Sequence, residues 1–177
     1  IAKKYFVKAL ENKNLYKKSP ELLAILLDNL AYSKFKLSDN VGLPNLFLRS
    51  LKIRDSLNLS SGVIVNKIHL SEYYSSTKDN KNSEKFAFEA LKLAKSTKFS
   101  GDILAALQQI SIVDTIKSAS YSKEYIKIND SIQQEQRKAK DKFARIAFET
   151  DEIIQQKDKL TEQNRTLLYF FIGTLFL

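Results

Sequence analysis

The side chains that most often carry out chemistry are scarce in this chain of 177 residues. Cysteine is absent and His69 is the only histidine, so neither a thiolate metal site nor a site with several imidazole ligands can form. A serine hydrolase would need His69 between an acid and a nucleophile, and no spacing in the sequence suggests that arrangement. The four glycines never form a phosphate-binding motif. We therefore predict no catalytic site, no metal and no cofactor.

Two groups of charged residues could support a function, one as a nucleic-acid contact and one as paired carboxylates. Surface exposure is the better explanation for both groups. The net charge is +9, and a basic run that could contact nucleic-acid phosphates comprises Arg137, Lys138, Lys140, Lys142 and Arg145. Acidic residues are interleaved along the chain, so a solvated helical face is the better interpretation and nucleic-acid binding is not expected. Asp151 with Glu149 or Glu152 could act as paired carboxylates, but surface salt bridges are the simpler explanation.

Helices must position any site in this chain, because residues that form turns are rare. The chain has four glycines and two prolines, whereas an all-β domain needs a turn about every 8–12 residues. Hydrophobic residues make up 44% of the chain, which is enough for a globular core. The composition therefore predicts an all-α fold.

A spacing of 40 residues recurs within residues 1–130 and predicts repeated helix pairs. A large apolar residue followed by a small one stands at Leu30-Ala31, Leu70-Ser71 and Ile110-Ser111. In the second helices, Ser50 and Ala90 hold a corresponding small position. Each block opens with a serine that we expect to be a helix N-cap, namely Ser19, Ser60 or Ser100.

Polar breaks at residues 38–40 and 78–82 divide the first two blocks into two helices each. The third block is irregular, because its second helix matches only after a deletion of about six residues. That deletion brings Tyr121 and Tyr125 into the places of Ala87 and Leu91. Residues 1–130 are thus predicted to contain about three and a half helix pairs.

The first helix of each block resembles that of the tetratricopeptide repeat (TPR) family, with Leu70, Ser71 and Tyr74 as the best match. Lys34 and Asp114 replace the aromatic residue in the other two blocks. The resemblance implies an α-solenoid of TPR-like helix pairs, with a concave groove that binds a protein or peptide. It does not extend to the basic clamp of chaperone-binding members, for which Asn29 alone fits.

The same resemblance supplies candidate groove contacts. Asn29, His69 and Gln109 are aligned at a position that faces the groove in TPR proteins, and Tyr32 and Glu72 are added as neighbours. The alternative is that these side chains are exposed and have no role.

A repeat of seven residues replaces the repeat of 40 after Asp130 and predicts a long coiled-coil-like helix over residues 131–166. Its apolar stripe consists of Ile132, Ala139, Ile146, Ile153 and Leu160. Polar residues such as Gln136, Lys157 and Asn164 lie beside the stripe, so we expect at most a weak homodimer. The alternative is a helix that caps the last repeat through Phe143, Ile146 and Phe148.

The last eleven residues, 167–177, are apolar, with no charge after Arg165. Eleven residues cannot cross a bilayer, which takes about 20. We nevertheless expect them to begin a transmembrane helix, because a charged flank precedes the apolar run and an aromatic residue lies near its start. The alternative is a buried terminal helix.

Residues 121–177 resemble the junction in a group of Bacteroidetes-type membrane-anchored regulators, through segments 121–125, 129–132, 142–145 and 148–150. In that group TPRs precede a transmembrane helix and a helix-turn-helix or histidine-kinase output. The resemblance implies a non-catalytic sensor module at the inner membrane, with periplasmic repeats. The alternative is a soluble cytoplasmic scaffold that mediates protein assembly.

Overall fold

A computed structural model of the chain describes residues 2–12 and 14–175. Within these residues the structure has eight helices and no strand, which confirms the predicted all-α fold. In chain order the helices are α1 (Ala2–Leu10), α2 (Leu15–Lys18), α3 (Pro20–Lys36), α4 (Asn45–Ser56), α5 (Ser60–Ser76), α6 (Asn80–Thr97), α7 (Ser100–Val113) and α8 (Ser118–Leu175).

The helices contact one another in the order expected for repeated helix pairs. Neighbouring helices pack on each other from α3 through to α7, and the first helices of successive pairs, α3 with α5 and α5 with α7, also touch. An α-solenoid requires these contacts between neighbouring repeats. The solenoid itself stays a prediction.

Small side chains are buried at four of the positions that the repeat predicts to be small. Ala31, Ser71, Ser50 and Ala90, all at predicted small positions, are fully buried. Ser50 Oγ donates to the carbonyl oxygen of Ala24 at 2.7 Å, which joins α4 to α3. A larger side chain at these positions would push the helices apart, because protein interiors are close-packed.

The serine N-cap prediction is wrong at Ser60 and Ser100, which are the first residues of α5 and α7. The first helical hydrogen bonds are accepted one residue earlier, by the carbonyls of Leu59 and Phe99. Ser19 is at the N-cap of α3, but its side chain makes no capping hydrogen bond. A serine before an apolar run therefore marked each helix start only to within a residue.

Four helix ends have a residue with positive φ, and these residues are spaced 20 positions apart. Ser38, Asn58, Lys78 and Lys98 have φ of +56°, +56°, +62° and +58°, in the left-handed region. At the end of α5, the amide of Lys78 donates to the Ser75 carbonyl and the amide of Asp79 donates to the Tyr74 carbonyl. This is the Schellman pattern, which satisfies carbonyls left free at a helix end.

We expect Lys78→Gly to raise the free energy of unfolding by about 0.5–1 kcal/mol, because glycine adopts positive φ without the steric cost borne by lysine. Urea unfolding followed by circular dichroism measures the change. The matched control is Lys92→Gly in the middle of α6, which should lower stability by about 1 kcal/mol. Destabilisation by Lys78→Gly would contradict the left-handed geometry.

The described residues form two compact units that divide between Asn129 and Asp130. In the first unit, the start of α8 completes the last helix pair, and Tyr121, Tyr125 and Ile128 pack on a core that includes Ala87 and Leu107. In the second unit, every residue from 133 to 169 is exposed. The predicted stripe from Ala139 to Leu160 therefore lies at the surface of α8, as do Phe143 and Phe148, and Ile132 is half-buried.

The predicted membrane anchor is not supported. Among residues 2–12 and 14–175, no helix combines the length and the apolar character that crossing a membrane requires. The apolar stretch that begins at Leu167 follows a strongly charged stretch of α8, so no sufficiently long apolar window exists there. Phe176 and Leu177, the end of the predicted segment, lie outside the described residues. We therefore withdraw the inner-membrane localisation.

Candidate functional site

The first helices of three successive pairs line one groove, which we call the α3–α5–α7 groove. Its lining residues are Phe35 and Lys36 from α3, Ile68, Glu72, Ser75 and Ser76 from α5, and Ala105, Gln108, Gln109 and Ile112 from α7. The groove thus combines apolar, amide, hydroxyl and charged groups. Ile112 is 62% exposed, so the groove presents an apolar side chain directly to solvent.

Tyr32, His69 and Glu72, three of the predicted contacts, come together beside this groove. The rings of Tyr32 and His69 stack with their centroids 4.1 Å apart. Tyr32 Oη donates to Glu72 Oε2 at 3.1 Å, and Lys36 Nζ donates to the same oxygen at 2.9 Å. Lys36 Nζ also lies 4.7 Å from the centre of the Tyr32 ring, within cation–π distance.

Charge at this end of the groove is already compensated. The hydrogen bond from Lys36 to Glu72 raises the pKa of Lys36 above its usual value, so the ammonium stays protonated at neutral pH. Glu72 accepts from two donors and presents little free negative charge. A ligand would therefore meet a rim of connected aromatic and polar groups rather than a strongly charged pocket.

A buried polar network lies behind His69 and is centred on Asp28. Asp28 Oδ2 accepts from Arg54 Nη1 at 3.0 Å, while Oδ1 accepts from Asn66 Nδ2 at 2.9 Å. His69 Nδ1 lies 3.0 Å from the same Oδ1, and because an ionised carboxylate can only accept, Nδ1 must carry the proton. Asp28 therefore holds the His69 ring that stacks on Tyr32.

Asp28 orients His69 from the neighbouring repeat, a contact that the spacing of the sequence did not predict. The pair nevertheless differs from a catalytic dyad, because the Arg54 guanidinium neutralises the other oxygen of Asp28. In the part of the chain that the structure describes, no hydroxyl group hydrogen-bonds to His69. That part also contains no cluster of three side chains suited to holding a metal ion. The contacts of His69 are therefore a hydrogen bond to Asp28 and ring stacking on Tyr32.

Gln109 and Asn29 do not join the other three candidates. Gln109 lines the groove, but its side chain is buried and its Nε2 donates to Ser71 Oγ at 2.9 Å, which ties α7 to α5. Asn29 is half-buried on α3 and is not among the residues that line the groove. The predicted row of three polar residues thus separates into three different environments.

Hydrogen bonds between repeats connect residues spaced by nearly the repeat length. Tyr32 and Glu72 are 40 positions apart, Asp28 and Asn66 are 38, and Asp28 and His69 are 41. Sequence reasoning missed Lys36 and Ile112, although each lies one helical turn beyond a residue on the same face. Extending the predicted groove face by one turn would have found both residues.

Comparisons of the chain with models of protein families, with curated proteins and with solved structures found no match. The resemblance to TPR proteins and to membrane-anchored regulators is therefore carried by the quoted residues alone. The function of the groove is therefore inferred from the residues that line it.

Proposed function

We propose that the chain is a non-catalytic recognition module that binds a protein or peptide segment in the α3–α5–α7 groove. The observation that carries the proposal is the exposed apolar side chain of Ile112, set in one surface with hydroxyl groups from α5 and amide groups from α7. Binding sites commonly combine apolar contact area with a few polar groups that fix the orientation of the ligand.

An extended segment suits this surface better than a small molecule does. Neighbouring packed helices are about 9 Å apart, so two helix steps cover about 18 Å, which an extended peptide of about 5–6 residues spans. Gln108, Ser75 and Ser76 can hydrogen-bond to a peptide backbone, while Ile112 and Phe35 offer apolar contacts for side chains. A polar residue of the peptide can bind at the rim formed by Lys36 and Glu72, because these two side chains pair with each other and neither charge is left unpaired.

A recognition role also fits the TPR resemblance, which implies protein binding. A link to signalling or transcription comes only from the resemblance to regulators, and it stays a prediction. A scaffold protein would use the same groove. The recognition module and the scaffold differ in what the bound protein does afterwards.

Selection of peptides from a phage-displayed library on the full chain tests the groove. We expect the selected peptides, measured by fluorescence anisotropy, to bind the Ile112→Asp variant at least about tenfold more weakly, because the substitution replaces an apolar contact by a charge. Circular dichroism should show unchanged helix content in this variant, since Ile112 is exposed.

The matched control is Ile116→Asp, at a residue that is 93% exposed and does not line the groove. This variant should bind the same peptides as the unmodified chain does. Equal binding by all three proteins would place the peptides elsewhere and refute the groove assignment. Failure to select any peptide would also count against it.

A further inference from the structure

The exposed part of α8 carries an apolar residue at every seventh position. If Ile132 is position d, the later d positions hold Ala139, Ile146, Ile153, Leu160 and Leu167. The corresponding a positions hold Gln136, Phe143, Thr150, Lys157, Asn164 and Phe171. From Gln136 to Leu167, every one of these residues is exposed. A helix that displays such a stripe to water has little to stabilise it by itself, because most helix stability in proteins comes from packing.

We infer that a second copy of this chain covers the stripe, in a parallel and in-register two-stranded coiled coil over residues 132–167. The inference is independent of the groove, since it concerns only the exposed length of α8. The heptad spacing keeps the a and d positions on the side that faces the partner helix.

One pair of opposite charges supports the parallel arrangement. With Ile132 at d, Glu135 is at position g and Lys140 is at the following e position. In a parallel coiled coil, g of one helix faces the following e of its partner, so Glu135 of each copy meets Lys140 of the other. Such e and g pairs influence the choice and orientation of partners in coiled coils. Both residues are exposed and available for this pairing.

Asn164 supports the register. Only when the two helices are parallel and in register do the two Asn164 side chains meet, and each amide can then donate to the other. A register shifted by one heptad would place one Asn164 against Phe171 and the other against Lys157. A single asparagine at an a position is known to specify register in this way at a cost in stability. Lys157 adds repulsion at another a position, so the dimer is weak and reversible.

Sedimentation equilibrium of the full chain tests the seam, which is the interface formed by the a and d positions of the two helices. Two matched variants are compared. Ile146→Asp places a charge at a d position, whereas Phe148→Asp places the same charge at the outward f position of the same helix. We expect Ile146→Asp to raise the dimer dissociation constant at least about 100-fold, because two unpaired carboxylates would be buried in the seam. Phe148→Asp should leave the constant within about threefold of the unmodified chain.

A chain that stays monomeric at all accessible concentrations, or equal effects of the two variants, would overturn the inference. Orientation is tested separately, since the chain has no cysteine and a single introduced thiol is therefore unique. Leu160→Cys should form a disulfide-linked dimer under mild oxidation, because like d residues lie within disulfide reach in a parallel pair. Gln155→Cys, on the outward face, is the control. Cross-linking of Leu160→Cys no faster than of Gln155→Cys would rule out the parallel register.

Discussion

An Asp28→Ala variant is expected to lose about 3–5 kcal/mol of unfolding free energy, because it leaves a guanidinium charge buried without its partner. Asp28 is 1% exposed and Arg54 is 6% exposed. Removing the carboxylate also deprives His69 of its acceptor, whereas Asn66 Nδ2 keeps the carbonyl of Phe47. A buried donor without an acceptor adds its own desolvation cost to that of the charge.

Urea or guanidinium unfolding followed by circular dichroism measures this loss. The double variant Asp28→Ala/Arg54→Met should recover a substantial part of it, since no buried charge then remains unpaired. Asp55→Ala at an exposed position is the matched control and should change stability by at most about 0.5 kcal/mol. A cost for Asp28→Ala similar to that of Asp55→Ala would show that the network does not stabilise the fold.

A Phe47→Ala variant is expected to lose about 3–5 kcal/mol, through lost burial and the cavity that remains. Phe47 is 0% exposed and packs with Ala31, Leu70 and Tyr73 in the core between α3, α4 and α5. Its ring centre lies 6.1 Å from that of His69, so the cavity would open directly beneath the groove rim. Peptide binding should weaken together with stability.

Phe88→Ala provides the comparison, because Phe88 belongs to α6 and is 58% exposed. The same truncation there should cost at most about 0.5 kcal/mol, since it removes little buried area. Chemical denaturation of both variants under one set of conditions gives the difference directly. Similar costs at the two positions would contradict the placement of Phe47 in the core.

The all-α fold and the spacing of the helix pairs could be predicted from the sequence, for local reasons. Scarce glycine and proline exclude a fold rich in turns, and that property needs no knowledge of tertiary contacts. The repeat of 40 residues identified Ala31, Ser71, Ser111, Ser50 and Ala90 as small positions, of which Ser111 is half-buried and the other four are buried. Close helix packing tolerates only small side chains there, so the packing requirement is visible in the sequence itself.

The partners of individual polar side chains could not be predicted in the same way. His69 and Gln109 are equivalent in the repeat, yet His69 binds Asp28 of the preceding repeat while Gln109 binds Ser71 and is buried. The repeat spacing brings two helices side by side but does not specify which neighbours on the facing helix are polar. Alignment therefore grouped residues that have different roles.

The amino-acid sequence by itself determined that the chain is helical, where its repeats lie and which stripe of α8 is apolar, because these properties depend on composition and on spacing along a helix. Only the tertiary structure decided that Asp28, Arg54, Asn66 and His69 form one network and that Lys36 and Ile112 line the groove with Glu72. Hydrogen bonds act over about 3 Å. They therefore depend on how two helices are rotated and shifted against each other, which arises from the packing of the whole core.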